Sequence, residues 1–352
     1  MKIPQRNYDL NSFLEMCKEI FNSGKSLQIF TIFLSGTYKD LLEVLARSGY
    51  TIEINSFSEN ITEVHSRYRF YNMEEHIYYY IVKSPEYENV YLLFSFDALS
   101  NLKHVLESVL YSTSVVCNLW LPPQHFDKLK DEILAYKEAY MTYFHGKKLD
   151  MSGEKQYKRP SIAKDIKYKG NDAMQALKEL RFSYGVMPQV IEIAIASKFQ
   201  FKIYKSGIYS LTFGDVKEFV DDIVFHSIDM LMDDNKRMNE AKFNVTKIND
   251  VEVLSSKQVD FQLSEPFEYE DFHNLIEAME DSGFGLYNTR LKKGSVIFSS
   301  NVVDEGKGNI FALSSDGKNF IASAKYGSSS TSIIKFYEFL VEKIDPFVKV
   351  LK

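Results

Sequence analysis

The sequence predicts an α+β protein built from repeated antiparallel four-stranded sheets, each flanked by helices. Three observations carry this reading. Short runs rich in Val, Ile, Phe and Tyr alternate in character and are punctuated by turn glycines. Apolar stripes at helical spacing stand before and after each group of runs. The order β-α-β-β-β-β-α recurs in the first and last thirds of the chain, with a divergent version between them.

A helix over Leu10–Phe21 comes first, then a strand at Leu27–Leu34 and a helix at Tyr38–Ser48 with Thr37 as N-cap and Gly49 as C-cap. Strands follow at Thr51–Phe57, Val64–Tyr71, His76–Lys83 and Val90–Phe96, and Asp97 caps a helix carrying Leu99, Leu102, Val105 and Leu106. A strand (Ser114–Leu119) and a helix (Gln124–Tyr140) lead into the middle. There a helix at Asp172–Phe182 precedes strands at Gln189–Ala196, Phe199–Tyr204 and Ile208–Phe213 and a long helix, Asp215–Met232. In the last third, Val259–Leu263 and the helix Glu268–Asp281 lead to strands at Phe284–Leu291, Ser295–Ser300, Asn309–Ser314 and Asn319–Lys325. A helix from Ser329 closes the chain, with Pro346 at its end. The expected divisions are 1–118, 119–170, 171–240 and 241–352. This element order resembles the repeated unit of the TATA-box-binding-protein fold, a curved sheet backed by two helices. The resemblance is one of topology and implies an architecture, not a function.

Composition narrows the classes. With 352 residues and 45% apolar content the chain can bury real cores, and its net charge of −6 argues against a surface that grips nucleic acid all over. Cys17 and Cys117 form no C-x-x-C pair, which excludes a zinc ribbon or disulfide framework. No run approaches 18 uncharged apolar residues, so no membrane association is expected and a cytoplasmic location is the default. P-loop, dinucleotide, nucleophile-elbow and H-E-x-x-H signatures are absent, so no cofactor is expected.

Four features carry possible chemistry. Asp222, His226, Asp229 and Asp233 follow one another at spacings of 4, 3 and 4 on the long helix, one narrow stripe. An imidazole between carboxylates suits a divalent metal or acid/base pair, while an otherwise apolar helix also keeps such a stripe merely for solvation. Alternation in Val64–Tyr71 puts Arg67 and Arg69 on one face, and the next strand offers Tyr78 and Tyr80. Arginines among tyrosines suit phosphate contact with base stacking, or simple cross-strand packing. Residues 141–170 hold eight Lys/Arg, including Lys147, Lys148, Lys155, Lys158 and Arg159, against three Asp/Glu; that net of +5 leaves −11 on the remainder. Finally, the serines of 327–332 precede the last helix, as an anion cradle or as ordinary caps.

These features point to a non-catalytic binding protein, with nucleic acid the first partner to test and a protein partner the next. A metal-dependent enzyme centred on Asp222, His226 and Asp229 is the competing reading, and a scaffold whose sheets pair is the third.

Overall fold

The computed structural model describes residues 9–70, 73–111, 113–136, 138–148, 165–241, 243–248, 251–292, 297–325 and 327–351. Two compact units emerge: the first ends at Met230 and the second runs from Leu231, with the short stretch Pro122–Gln124 also counted in the second. Both are mixed α and β with antiparallel sheets.

In the first unit, Asp9 caps α1 (Leu10–Phe21) by accepting from the Ser12 amide, and β1 (Leu27–Leu34) is buried along its whole length. Thr37 and Asp40 form a reciprocal capping box on α2 (Tyr38–Arg47). An antiparallel meander follows, β2 (Thr51–Ser58), β3 (Ile61–Phe70), β4 (Met73–Lys83) and β5 (Val90–Ser95), and then α3 (Leu99–Tyr111). Next come β6 (Val116–Asn118), α4 (Pro123–Leu134), β7 (Ala139–Lys148), β8 (Asp165–Lys169) and α5 (Ala173–Tyr184). Gly185 ends α5 in the left-handed conformation. The strands β9 (Val186–Ile195), β10 (Phe199–Tyr204) and β11 (Ile208–Gly214) lead into α6 (Val216–Phe219), a π-helical turn at Val220–Phe225, and α7 (His226–Glu240), which carries the chain past the unit boundary.

Among the described residues the sheet of this unit has eleven strands, in the order β2-β3-β4-β5-β1-β11-β10-β9-β7-β8, with β6 also on β1. The first and middle pieces therefore join in one sheet through β1 and β11, where Leu27 faces Leu211 and Phe30 faces Ile208. Helices α2 and α3 cover one face of the β2-to-β1 half: Leu41, Leu45, Leu102 and Leu106 pack with Ile32, Tyr79 and Leu93. The other face of that half is not open as expected. Phe13 of α1 lies against Tyr80 and Phe94, with ring centroids 5.5 and 5.4 Å apart, because α1 needs a surface for its apolar stripe.

In the second unit, β12 (Phe243–Ile248) and β13 (Val251–Ser256) form a hairpin the sequence reading did not foresee. Then come β14 (Val259–Gln262), α8 (Asp271–Asp281), β15 (Phe284–Lys292), β16 (Ile297–Asp304), β17 (Asn309–Ser315), β18 (Asn319–Ala324), α9 (Thr331–Phe339) with a π-helical turn at Leu340–Ile344, and β19 (Lys349–Val350). The strand order is β15-β16-β17-β18-β14-β19. Phe336 of α9 centres the core, its ring 5.5 Å from Phe311 and 6.0 Å from Phe261. Among the described residues no helix is long and apolar enough to cross a membrane.

Candidate functional site

The β7–β10 part of the eleven-stranded sheet has one covered and one open face, and period-2 alternation decides which side chains go where. Met141, Phe144, Ile191, Ile193, Phe201 and Ile203 are all buried on one side. There the Phe219 ring lies 5.2 Å from that of Phe201, placing α6 on that face. The opposite side carries Tyr140, Tyr143, His145 and Lys147 of β7, Lys167 and Lys169 of β8, Glu192 of β9, and Gln200, Lys202 and Tyr204 of β10, every one exposed or half-buried. Register aligns them into a row: Lys169 opposite Tyr143, Tyr143 opposite Glu192, Glu192 opposite Lys202.

Glu192 organises the centre of the row. Thr142 Oγ1 donates to its carboxylate at 2.8 Å, Gln200 Nε2 at 3.2 Å and Lys202 Nζ at 3.1 Å. Burial would raise its pKa, but those three donors together outweigh it and hold the carboxyl below the usual range. Lys202 also lies over the Tyr143 ring, 5.3 Å from its centroid, and Lys103 of α3 over Tyr204 at 5.0 Å. Burial, and then the neighbouring Tyr143 and Glu192, push the Tyr204 phenol up. Five lysines (103, 147, 167, 169 and 202) face two carboxylates, Glu192 and Asp165, the latter 3.3 Å from His145 Nε2. The open face thus combines aromatic rings, a positive balance and one fixed carboxylate.

The nucleic-acid residues expected from sequence do not converge. Arg67 and Arg69 are exposed, and Arg67 lies 3.6 Å from Glu74. Tyr78 is half-buried with the His65 ring stacked on it at 4.4 Å. Tyr80 is a correction: it is 0% exposed, covered by Phe13 and Phe57, because α1 occupies that part of the face. Lys147 is exposed and Lys148 half-buried at the end of β7, whereas Lys155, Lys158 and Arg159 lie outside the described residues. Six strands separate β3 from β7 in the sheet, roughly 34 Å at the usual strand spacing, and Arg67 and Lys147 leave opposite faces.

The metal stripe is a second correction. Asp222 lies in the π-helical turn at Val220–Phe225, and His226 and Asp229 lie in the first turn of α7. Each residue instead meets a different partner: Asp222 takes Lys198 Nζ at 3.0 Å, His226 Nε2 lies 2.7 Å from Glu132, and Asp229 accepts from the Tyr87 hydroxyl at 2.8 Å. Among the described residues no group of three or more His, Cys, Asp or Glu is placed to hold a metal ion. The serines before α9 are likewise engaged. Ser332 Oγ donates to Asp304 at 2.8 Å, Ser330 Oγ to Asn239 at 2.8 Å, and Asn309 Oδ1 accepts from the Ser329 amide at 3.1 Å.

In the second unit the uncovered sheet face forms a concavity of about 700 Å³ lined by Ser, Thr, Asn and a few apolar side chains, with Arg290 the one charged group among the described residues of its lining. Among the described residues its lining holds neither the lysines nor the tyrosines of the β7–β10 face.

Sequence reasoning missed Tyr143, Lys167, Lys169, Glu192, Lys202 and Tyr204 as a set. The signal was present in Phe199–Tyr204, where Gln200, Lys202 and Tyr204 alternate with Phe199, Phe201 and Ile203. Residues 124–206 match the AF_0896 family middle domain. Over 220 residues the chain is 22% identical to a protein of Archaeoglobus fulgidus described as an uncharacterized protein, covering 57% of this chain and 60% of that one. The chain therefore spans less than two thirds of that relative's length. Apart from Lys103, every Tyr, Lys and Glu of the open face falls within the stretch that resembles the family's middle domain.

Proposed function

We propose that this protein is a non-catalytic binder of single-stranded nucleic acid, which lies across the open β7–β10 face. The observation that carries the reading is the alternation that buries Phe144, Ile191 and Phe201 and leaves Tyr140, Tyr143 and Tyr204 beside Lys147, Lys167, Lys169 and Lys202. Aromatic faces stack unpaired bases at about 1–3 kcal/mol each, and lysines around them contact phosphates. Stacking on a ring needs a base whose face is free, and a duplex shows its bases only as groove edges; unpaired bases are therefore the better fit.

The test is binding of labelled oligonucleotides across a salt series. The original protein binds single strands with Kd tighter than about 10⁻⁵ M at physiological salt, and the Lys167→Glu/Lys169→Glu double variant binds at least tenfold more weakly. Equal binding by the double variant would move the site elsewhere.

The finer architectural reading also belongs here. The order β2-β3-β4-β5-β1 with β6 beside β1 has its counterpart in β15-β16-β17-β18-β14-β19. We read the two as copies of one unit whose element order resembles that of the TATA-box-binding-protein fold.

A further inference from the structure

A carboxylate at the centre of a phosphate-binding face works against affinity unless it has a task of its own. Glu192 is such a group: its side chain is 14% exposed, and its two direct cross-strand neighbours are Tyr143 and Lys202. Tyr204 stands two residues beyond Lys202 on β10 and, like Tyr143, on the same open side. Three donors already hold the carboxylate in place: Thr142 and Gln200 on Oε1, Lys202 on Oε2. A carboxylate has about four acceptor positions, so three donors leave capacity for another.

We propose that Glu192 makes the face selective for bases that present hydrogen-bond donors, guanine first, then adenine and cytosine, and against thymine and uracil. The inference rests on the nucleic-acid reading of this face. A base stacked on Tyr143 or Tyr204 turns its edge along the sheet surface toward Glu192. Guanine offers the adjacent N1–H and N2–H donors to one carboxylate, while adenine and cytosine each offer one exocyclic amino group. Thymine and uracil present carbonyl oxygens on both sides of their single N–H, and these repel the carboxylate. Lys202, which pairs with Glu192, keeps the carboxylate ionised and offsets its charge toward the phosphates.

The experiment compares affinities for oligomers of deoxyadenosine, deoxycytidine and thymidine, and for a thymidine oligomer carrying isolated guanines. The original protein favours the guanine-bearing and amino-bearing strands over thymidine by about tenfold, the range a good side-chain-to-base contact supplies. Glu192→Gln keeps the size and one acceptor but adds an amide donor, and it brings the thymidine oligomer level with the others. A thermal melt within a few degrees of the original shows that the variant is folded. As a second variant, Lys167→Met on the exposed edge strand β8 weakens all four oligomers alike and leaves their ranking unchanged. Similar affinity for every oligomer, unaltered by Glu192→Gln, would overturn the selectivity while leaving the binding face intact. No binding by any oligomer would overturn both.

Discussion

At Gly207 the backbone turns between β10 and β11 with φ +74°, and a Cβ there would sit 2.2 Å from the carbonyl oxygen of Leu119. Thr31 Oγ1 donates to the Gly207 carbonyl at 2.9 Å, so this turn packs directly on β1 and on the residue after β6. Left-handed backbone costs an L-residue about 1–2 kcal/mol, and the contact with a carbonyl cannot be relieved by rotating a side chain. Gly207→Ala is accordingly expected to destabilise the first unit by roughly 3 kcal/mol, read as a lower midpoint in urea with unchanged slope. A change under about 0.5 kcal/mol would show that the turn relaxes freely. The glycine was legible in sequence as a turn, but the close approach was not, because Leu119 lies 88 positions away.

The helix that carries Asp222, His226 and Asp229 shows how an element can defeat a correct rule. Spacing of 4 and 3 puts Asp222, His226 and Asp229 near one stripe, yet each meets a partner from a different element, which no local residue pattern announces. His226 then pairs with Glu132 of α4 through groups that are 46% and 40% exposed. His226→Ala is therefore expected to cost under about 1 kcal/mol, and adding Zn²⁺ or Mn²⁺ to the original protein shifts its melting no more than it shifts the variant's. A zinc-dependent rise in melting temperature confined to the original would restore the metal reading. Glu132 is held below the usual carboxylate range first by its bond to His226, against burial, so what it adds to stability is present above its unfolded value and is lost as pH falls through the lower folded one. Elements with capping residues were the most legible: Thr37 and Asp40 fix α2, and Gly185 ends α5. Strand β7 reads in sequence as the last two residues of a helix followed by a connecting segment. Its Ala-Tyr-Met-Thr-Tyr-Phe run has both faces apolar or aromatic, and only its place beside β9 tells them apart.

Across the whole chain, charge is unevenly placed: the total is −6, yet residues 141–170 carry a net +5. Sequence located this asymmetry in that stretch and named Arg67 and Arg69 as further candidate contacts, which the sheet order puts toward its other end. What the fold adds is that part of the basic stretch is strand, β7 and β8, so Lys147, Lys167 and Lys169 become fixed ammonium groups on one surface. Their number sets a quantitative expectation. Lys202 is held by Glu192, which leaves these three as the exposed lysines of the face's strands. Each phosphate contact on a single strand contributes about −0.7 to the slope of log affinity against log salt, so three give roughly −2. Losing Lys167 and Lys169 brings the slope to about −0.7. A slope steeper than about −4 would instead enlist basic groups beyond the face, with Lys155, Lys158 and Arg159 the first to reverse. A flat slope would remove phosphate from the account and leave stacking on Tyr143 and Tyr204 as the sole attraction, which an acidic chain would sustain only weakly against its own repulsion of a polyanion.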